Sequence, residues 1–138
     1  MGRVGAANAT NDAIHQWKPQ VVLLVGIAGG MAEAGVSLGD VIVSDQIVDY
    51  ELQKVKPEAL EIRYSIQLPN PGLLNAAKNY LRKDWQKRIK IRRPLQGTPK
   101  RVVGPIATGD KVIAFGAVLQ QYREAWPKLI GVEMEAGA

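Results

Sequence analysis

The first third of the chain pairs one segment of helical character with one short apolar run. Residues 5–18 are rich in alanine and reach Pro19 without an internal proline, which predicts a helix that ends before that proline. Residues 21–25 (VVLLV) form a continuous run rich in β-branched side chains. Such a run predicts a strand buried on both faces, as in a parallel sheet covered by helices. The glycine-rich residues 26–30 (GIAGG) then predict a turn.

The same periodicities predict the remaining elements. The middle of the chain is predicted to contain a strand over Val41–Tyr50, irregular strand and loop over 51–68, a turn over 69–72 and one amphipathic helix over 73–89. A basic loop over 90–100 follows, and then a strand over Arg101–Ala107 that is broken or bulged at Gly104-Pro105. The last predicted elements are a helix over 114–126 and a strand over Leu129–Met134.

Helices that alternate with short apolar strands predict an α/β fold, with helices on the faces of a sheet. The chain opens with a helix that no strand precedes, and it stops directly after a strand. We therefore expect residues 1–138 to be a single partial domain, the central fragment of a larger one.

Composition narrows the possible chemistry. The 138 residues have the size of one domain and include no Cys and a single His, His15. Disulfides, thiolate metal sites, cysteine nucleophiles and two-histidine sites are thereby excluded from this chain. The longest apolar stretch, 21–31, is too short to cross a bilayer, and residues 1–6 do not resemble a signal peptide. We expect a cytoplasmic protein with no membrane partner.

The charge is unevenly distributed. The formal net charge is +5, and basic residues are concentrated between Lys78 and Arg101. Such a cluster can bind nucleic acid, but it is more often the solvated face of a helix and its following loop. No aromatic side chains are interleaved beyond Tyr80 and Trp85, which fit the apolar stripe better. We expect no nucleic-acid partner.

Three predicted strand ends carry candidate chemistry, because ligands of open α/β sheets bind at the carboxyl ends of strands. Gly26–Gly30 could bring backbone N–H groups close to an anion or sugar, or be a plain turn. The turn at Thr108–Lys111 could frame a flat ligand or cap a helix. Glu135, at the end of Val132–Glu135, could bind a vicinal diol through its two carboxylate oxygens, or be an ordinary edge carboxylate.

Four segments together indicate a protein family more specifically than any one of them does alone. They are Gly26-Ile27-Ala28-Gly29-Gly30, Leu38-Gly39-Asp40-Val41-Ile42-Val43-Ser44-Asp45, Thr108-Gly109-Asp110 and Val132-Glu133-Met134-Glu135. In this order and at these spacings, the chain resembles the purine nucleoside phosphorylase/uridine phosphorylase superfamily. Within it, the chain is similar to the branch of 5′-methylthioadenosine/S-adenosylhomocysteine nucleosidases.

The resemblance implies a three-layer α/β/α sandwich with a mixed central sheet, which cleaves the N-glycosidic bond of a purine nucleoside. It implies no cofactor, phosphate as a possible co-substrate, a small-molecule nucleoside as ligand and a homo-oligomer. It also carries over residue roles: Glu135 as the catalytic group on the ribose hydroxyls, Met134 under the sugar, Val112 and Ile113 against the base, Ala28 and Gly29 beside the attacking water or phosphate, and Glu133 as a support for its neighbours.

Two departures from the family pattern refine this expectation. Leu24 and Ile27 stand where phosphorylases of the superfamily carry an Arg and a Ser or Thr for phosphate, which favours hydrolysis. The family's general-acid Asp follows one more strand and helix beyond Glu135, so we expect this chain alone to be a poor catalyst. The alternative is a catalytically incomplete nucleoside-binding or regulatory module.

Overall fold

A computed structural model describes residues 3–51, 53–55, 60–62, 64–82, 84–110 and 122–137. The helices in these ranges are α1 (Arg3–Trp17), a 3-10 turn (Ala32–Ala34), α2 (Pro71–Asn79) and α3 (Asp84–Lys87), and residues 122–125 are also helical. The strands are β1 (Gly29–Gly30), β2 (Val41–Asp49), β3 (Gln53–Val55), β4 (Leu60–Ile62), β5 (Ser65–Gln67), β6 (Arg101–Thr108) and β7 (Gly131–Glu133).

Five of these strands form a mixed sheet in the order β1-β7-β6-β2-β5. The central strands β2, β6 and β7 run parallel, whereas β1 and β5 pair antiparallel with their neighbours at the two edges. Strands β3 and β4 form a separate antiparallel pair. The predicted α/β fold with a mixed central sheet is confirmed.

The sequence predicts that the strand over Arg101–Ala107 is broken or bulged at Gly104-Pro105. The pairing of β2 with β6 is irregular at this point, but the predicted location is wrong, because the extra residue lies on β2. Ser44 faces Gly104 and Gln46 faces Pro105, so Asp45 is an extra residue on β2. Proline has no N–H to donate to a neighbouring strand, and a bulge accommodates this loss. The bulge therefore lies on the strand that faces the proline, and β6 continues unbroken.

The predicted strand over residues 21–25 is wrong. This segment is not part of the sheet, and its apolar side chains are exposed, Leu23 at 70% and Val25 at 88%. The antiparallel pairing of β1 with β7 begins only at Gly29, opposite Val132, and β7 ends one residue later. The apolar run therefore lies before the first paired residue. A composition rich in β-branched residues favours a strand, but a strand also needs a neighbouring strand to pair with.

The single amphipathic helix predicted over 73–89 is also wrong, because the structure divides it into α2 and α3. Asn70 begins α2 by accepting hydrogen bonds from the backbone N–H groups of Gly72 and Leu73. At the other end, the Arg101 side chain donates to the backbone oxygens of Tyr80 and Lys78, at 2.7 and 3.2 Å. A tertiary contact thus satisfies the carbonyl groups where α2 ends.

Two predicted turns are shorter in the structure, because Gly29–Gly30 form β1 and α2 begins at Pro71. Several other predicted elements agree with the structure within the described ranges. Helix α1 matches the helix predicted over 5–18, and the irregular region 51–68 contains the short strands β3, β4 and β5. The last strand is shorter than predicted. Most of the helix predicted over 114–126 lies outside the described residues. No helix in the described ranges has the length and apolar character needed to cross a membrane.

The described core lies on the two faces of the central strands. One cluster of buried residues contains Met31, Val48, Tyr50, Ala107, Tyr122 and Leu129, and a second contains Val36, Ile106 and Ile130. Alternate residues of a strand point to opposite faces, so Ile106 and Ala107 of β6 contribute to different clusters. The side chains within the first cluster include the stacked rings of Tyr50 and Tyr122, whose centroids are 4.4 Å apart.

Asp40 holds the basic loop against the end of the sheet at which β2 and β6 begin. Its carboxylate accepts hydrogen bonds from the backbone N–H groups of Lys100 and Ser37, at 2.8 and 2.9 Å, and pairs with Arg93 Nη2 at 2.7 Å. The Asp40 side chain is fully covered, at 0% exposed. The Lys100 hydrogen bond is the main reason that the pKa of Asp40 is lowered. Arg93 and the Lys100 backbone thus have a structural role in this basic segment.

Replacing Asp40 with Ala should lower the free energy of unfolding by about 2 kcal/mol, because hydrogen bonds to a charged group are lost together. Exposed Asp12 provides the control, and Asp12→Ala should change stability little. Because the folded-state pKa of Asp40 is depressed, its contribution is present above the ordinary value of 3.8 and disappears as pH falls through the folded-state pKa. Urea unfolding at pH 7 and at progressively lower pH measures both effects; equal losses in the two variants would contradict this role.

Candidate functional site

The candidate site is formed where the three parallel strands end. Their register places Asp49 opposite Thr108, and Thr108 opposite Glu133. Asp49 and Thr108 are buried, and Glu133 is half-buried. The carboxyl ends of β2, β6 and β7 therefore present one row of polar side chains at a single edge of the sheet, as expected for a ligand site in this class of fold.

Glu133 holds the segment that follows β7. Its Oε2 atom accepts hydrogen bonds from the backbone N–H groups of Glu135 and Ala136, at 2.7 and 2.8 Å. This contact fits the supporting role expected for Glu133. Its other oxygen, Oε1, is buried and has no hydrogen-bond partner among the described residues.

The segment after β7 bends, and this changes how its side chains are placed. Met134 and Glu135 lie beyond the last residue of the strand, Glu133, and both are half-buried. Strand alternation, which would place residues 133 and 135 on the same face, therefore does not govern the Glu135 side chain. Instead, the hydrogen bond from the Glu135 N–H to Glu133 sets the local backbone conformation.

Ala28 and Gly29 reach the same end of the sheet from the neighbouring strand. Gly29 pairs with Val132, one residue before Glu133, and Ala28 directly precedes Gly29. Gly30 is the second residue of β1. A Cβ at this position would lie 2.5 Å from Val36 Cγ1, so a side chain has no room there. The structure thus brings Ala28 and Gly29 beside the segment that carries Met134 and Glu135.

The turn after β6 is held by the residues that follow β2. Glu51 Oε1 accepts a hydrogen bond from the Asp110 N–H at 2.9 Å, and the Gly109 N–H donates to the backbone oxygen of Glu133 at 3.4 Å. Tyr50 packs beneath the turn and is 1% exposed. Burial raises the pKa of the Tyr50 hydroxyl well above its usual range.

An ion pair at this edge could not be seen in the sequence. Arg3, at the start of α1, forms an ion pair with Asp49, the last residue of β2. Arg3 also donates to the backbone oxygen of Gly137 at 2.8 Å. Forty-six positions separate the two charges, so no local motif could have indicated the pair.

Not every predicted site residue can be located. Val112 and Ile113, the expected base contacts, lie outside the described residues. Within the described ranges, no group of three or more His, Cys, Asp or Glu side chains is arranged to hold a metal ion. The residues brought together are therefore Ala28, Gly29, Met134 and Glu135, with Glu133 as their support.

The chain is similar to known proteins in both sequence and structure. The family model described as "Phosphorylase superfamily" matches residues 1–138. The chain is 30% identical over 139 residues to a 5′-methylthioadenosine/S-adenosylhomocysteine nucleosidase of Marinomonas sp. (strain MWYL1), covering 100% of this chain and 56% of that protein. It is 32% identical to the nucleosidase of the same name from Staphylococcus aureus (strain Newman), again covering 100% of this chain and 56% of the relative. The chain thus spans about half the length of these curated relatives.

Solved structures agree with the sequence relatives. A 5′-methylthioadenosine/S-adenosylhomocysteine nucleosidase from Colwellia psychrerythraea, in complex with adenine, has a TM-score of 0.74 at 26% identity and covers 99% of this chain and 53% of that one. The corresponding protein from Neisseria meningitidis has a TM-score of 0.74 at 23% identity, over 99% of this chain and 55% of its own, and shows a likeness of fold.

The turn after β6 generates a stability prediction. A Cβ built on Gly109 would lie 2.3 Å from Cε2 and Cζ of Tyr50, whose buried ring cannot move without disturbing the core. We expect Gly109→Ala to cost about 1–3 kcal/mol through overpacking. Gly26→Ala is the matched control, because no atom lies within 4 Å of its Cβ. Thermal and urea unfolding of both variants measure the difference, and an unaltered Gly109→Ala would contradict the packing described.

Proposed function

Because the chain belongs to the Phosphorylase superfamily, we propose that it forms the sugar-binding part of an enzyme that cleaves the N-glycosidic bond of a purine nucleoside. The names of its relatives indicate 5′-methylthioadenosine or S-adenosylhomocysteine as the substrate. We favour water over phosphate as the nucleophile. The homo-oligomer implied by the family resemblance stays a prediction.

The observation that carries this proposal is the support that Glu133 gives to the Glu135 backbone, at 2.7 Å. In our proposal, the Glu135 carboxylate accepts hydrogen bonds from the two ribose hydroxyls, which a carboxylate can do with its two oxygens. Hydrogen bonds to the 2′-hydroxyl strengthen as positive charge develops on the ribosyl ring. Interactions that are stronger in the transition state than in the ground state are those that accelerate the reaction.

In the proposed reaction, the bond between C1′ of the ribose and the purine nitrogen breaks, and its electron pair leaves with the base. Water attacks C1′ and loses a proton, and the departing purine takes up a proton. Gly29 lies on β1 and pairs with Val132, the residue before Glu133, and Ala28 directly precedes Gly29. Both residues would border the attacking water. Met134 would cover the apolar face of the sugar, as the soft thioether of methionine does well.

Two observations support water rather than phosphate. Leu24 and Ile27, at the positions where phosphorylases carry phosphate ligands, have exposed apolar side chains that cannot bind an anion. Arg3 is the guanidinium that reaches this edge in the described part of the chain, and Asp49 and the Gly137 oxygen already occupy it. We therefore expect base release that does not depend on phosphate.

Binding tests the sugar contact directly. Glu135→Gln should weaken binding of 5′-methylthioadenosine roughly 10- to 150-fold, because hydrogen bonds to a charged acceptor contribute about 1.5–3 kcal/mol. Binding of adenine, which has no sugar, should not change. Glu124→Gln, at an exposed position, is the matched control and should bind both ligands as the unchanged chain does. Isothermal titration calorimetry measures the affinity of the unchanged chain and of both variants for each ligand.

The outcomes separate the candidate functions. Equal binding of 5′-methylthioadenosine by Glu135→Gln and the unchanged chain would contradict the sugar site. Adenine release at the same rate with and without phosphate supports hydrolysis, whereas phosphate-dependent release would identify a phosphorylase. Tight binding without any release by the full-length protein would support the regulatory module instead.

A further inference from the structure

We propose that Arg3 and Asp49 form a positioning pair, which fixes the backbone segment 135–137 and thereby the Glu135 carboxylate. The pair itself is not expected to touch a ligand. Its effect on sugar binding rests on the proposed function, whereas its effect on the order of the segment can be measured without any ligand.

The contact between the two side chains has the geometry of a strong ion pair. Arg3 Nη1 donates to Asp49 Oδ1 at 3.3 Å, and Arg3 Nη2 contacts Asp49 Oδ2. The Asp49 side chain is 7% exposed and the Arg3 side chain 20%. A two-pronged guanidinium–carboxylate contact fixes orientation as well as distance, and removing one partner leaves the other charge buried.

Asp49 provides the fixed side of this pair. It is the last residue of β2, and its register opposite Thr108 ties it to the central sheet. Its Oδ1 atom also accepts a hydrogen bond from the Glu51 N–H at 2.9 Å, which orients the carboxylate. Arg3 therefore connects the first turn of α1 to a strand that is paired on both sides.

Gly137 is the point at which the pair holds the segment. Arg3 Nη2 donates to its backbone oxygen at 2.8 Å, and the Gly137 N–H donates to Thr108 Oγ1 at 3.2 Å. A Cβ at this position would lie 2.9 Å from both Arg3 Nη2 and Thr108 Cγ2. The close approach therefore depends on glycine.

The segment is thus fixed at both ends, with Glu135 at its start. The Glu133 carboxylate accepts hydrogen bonds from the N–H groups of Glu135 and Ala136. Two residues after Glu135, Gly137 is held by hydrogen bonds with Thr108 and Arg3. With one end released, the backbone that carries the Glu135 carboxylate gains freedom. A small displacement of a group that orients a substrate is enough to cost substantial affinity or rate.

The first measurement is amide hydrogen exchange, which reports local opening. In Arg3→Met, and in Asp49→Asn as a second variant of unchanged size, the Gly137 amide should exchange roughly tenfold faster or more, as the loss of a charge-assisted hydrogen bond implies. The Val48 amide in β2 should not change. Arg88→Met, at an exposed position, is the control, and Arg3→Lys should recover only part of the protection.

The second measurement is a double-mutant cycle on 5′-methylthioadenosine binding. Arg3→Met alone should weaken binding roughly tenfold and leave adenine binding unchanged. In the Glu135→Gln background it should have no further effect, because a positioning residue acts through the group it positions. A general loss of structure would instead weaken the binding of both ligands in both backgrounds.

The two proposals can fail separately. Unchanged Gly137 exchange in both Arg3→Met and Asp49→Asn overturns the positioning role, even if Glu135 binds the sugar. Additive effects of Arg3→Met and Glu135→Gln on binding also overturn it. Faster Gly137 exchange in a chain that binds no nucleoside supports the positioning of the segment and rejects the proposed function.

Discussion

The parallel pairing of β6 with β2 on one side and β7 on the other is the constraint on which the candidate site depends. The register runs from Val41 opposite Arg101 to Asp49 opposite Thr108, and it continues from Thr108 to Glu133. Because parallel strands end on the same side, three chain segments far apart in sequence leave the sheet together. A slip of one residue in any pair would turn its side chains to the other face and separate the row.

The loops beyond these strands face a common difficulty, since each leaves the sheet with backbone N–H groups that have no strand partner. Side-chain oxygens supply the acceptors: Glu51 for Asp110, Glu133 for Glu135 and Ala136, and Thr108 for Gly137. The acidic side chains at this edge therefore have a structural role before they have a chemical one. The same contacts hold the backbone rigid where a ligand would have to be oriented.

The parts of the fold that local patterns determine could be predicted from the sequence. The β-branched runs of β2 and β6 belong to this class, as does the resemblance carried by Val132–Glu135. Irregular pairing near Pro105 could be predicted, but not that the extra residue lies on β2. What could not be predicted depends on contacts between distant residues. Residues 21–25 have strand composition but no partner strand in the described sheet, and α2 ends early, where the Arg101 side chain donates to its last carbonyl groups. The Arg3–Asp49 pair likewise depends on tertiary structure alone.

The sign of the local charge bears on the choice of nucleophile. The chain as a whole carries a formal net charge of +5, and its basic residues are concentrated at positions 78–101, with Arg93 at the amino ends of β2 and β6. The described ionisable side chains at the opposite edge are mostly acidic: Asp49, Glu51, Asp110, Glu133 and Glu135, against the guanidinium of Arg3. Such an edge attracts a ring that is becoming positively charged and repels a phosphate dianion. A neutral nucleoside that passes through a cationic transition state suits this edge, and a neutral water molecule suits it better than phosphate.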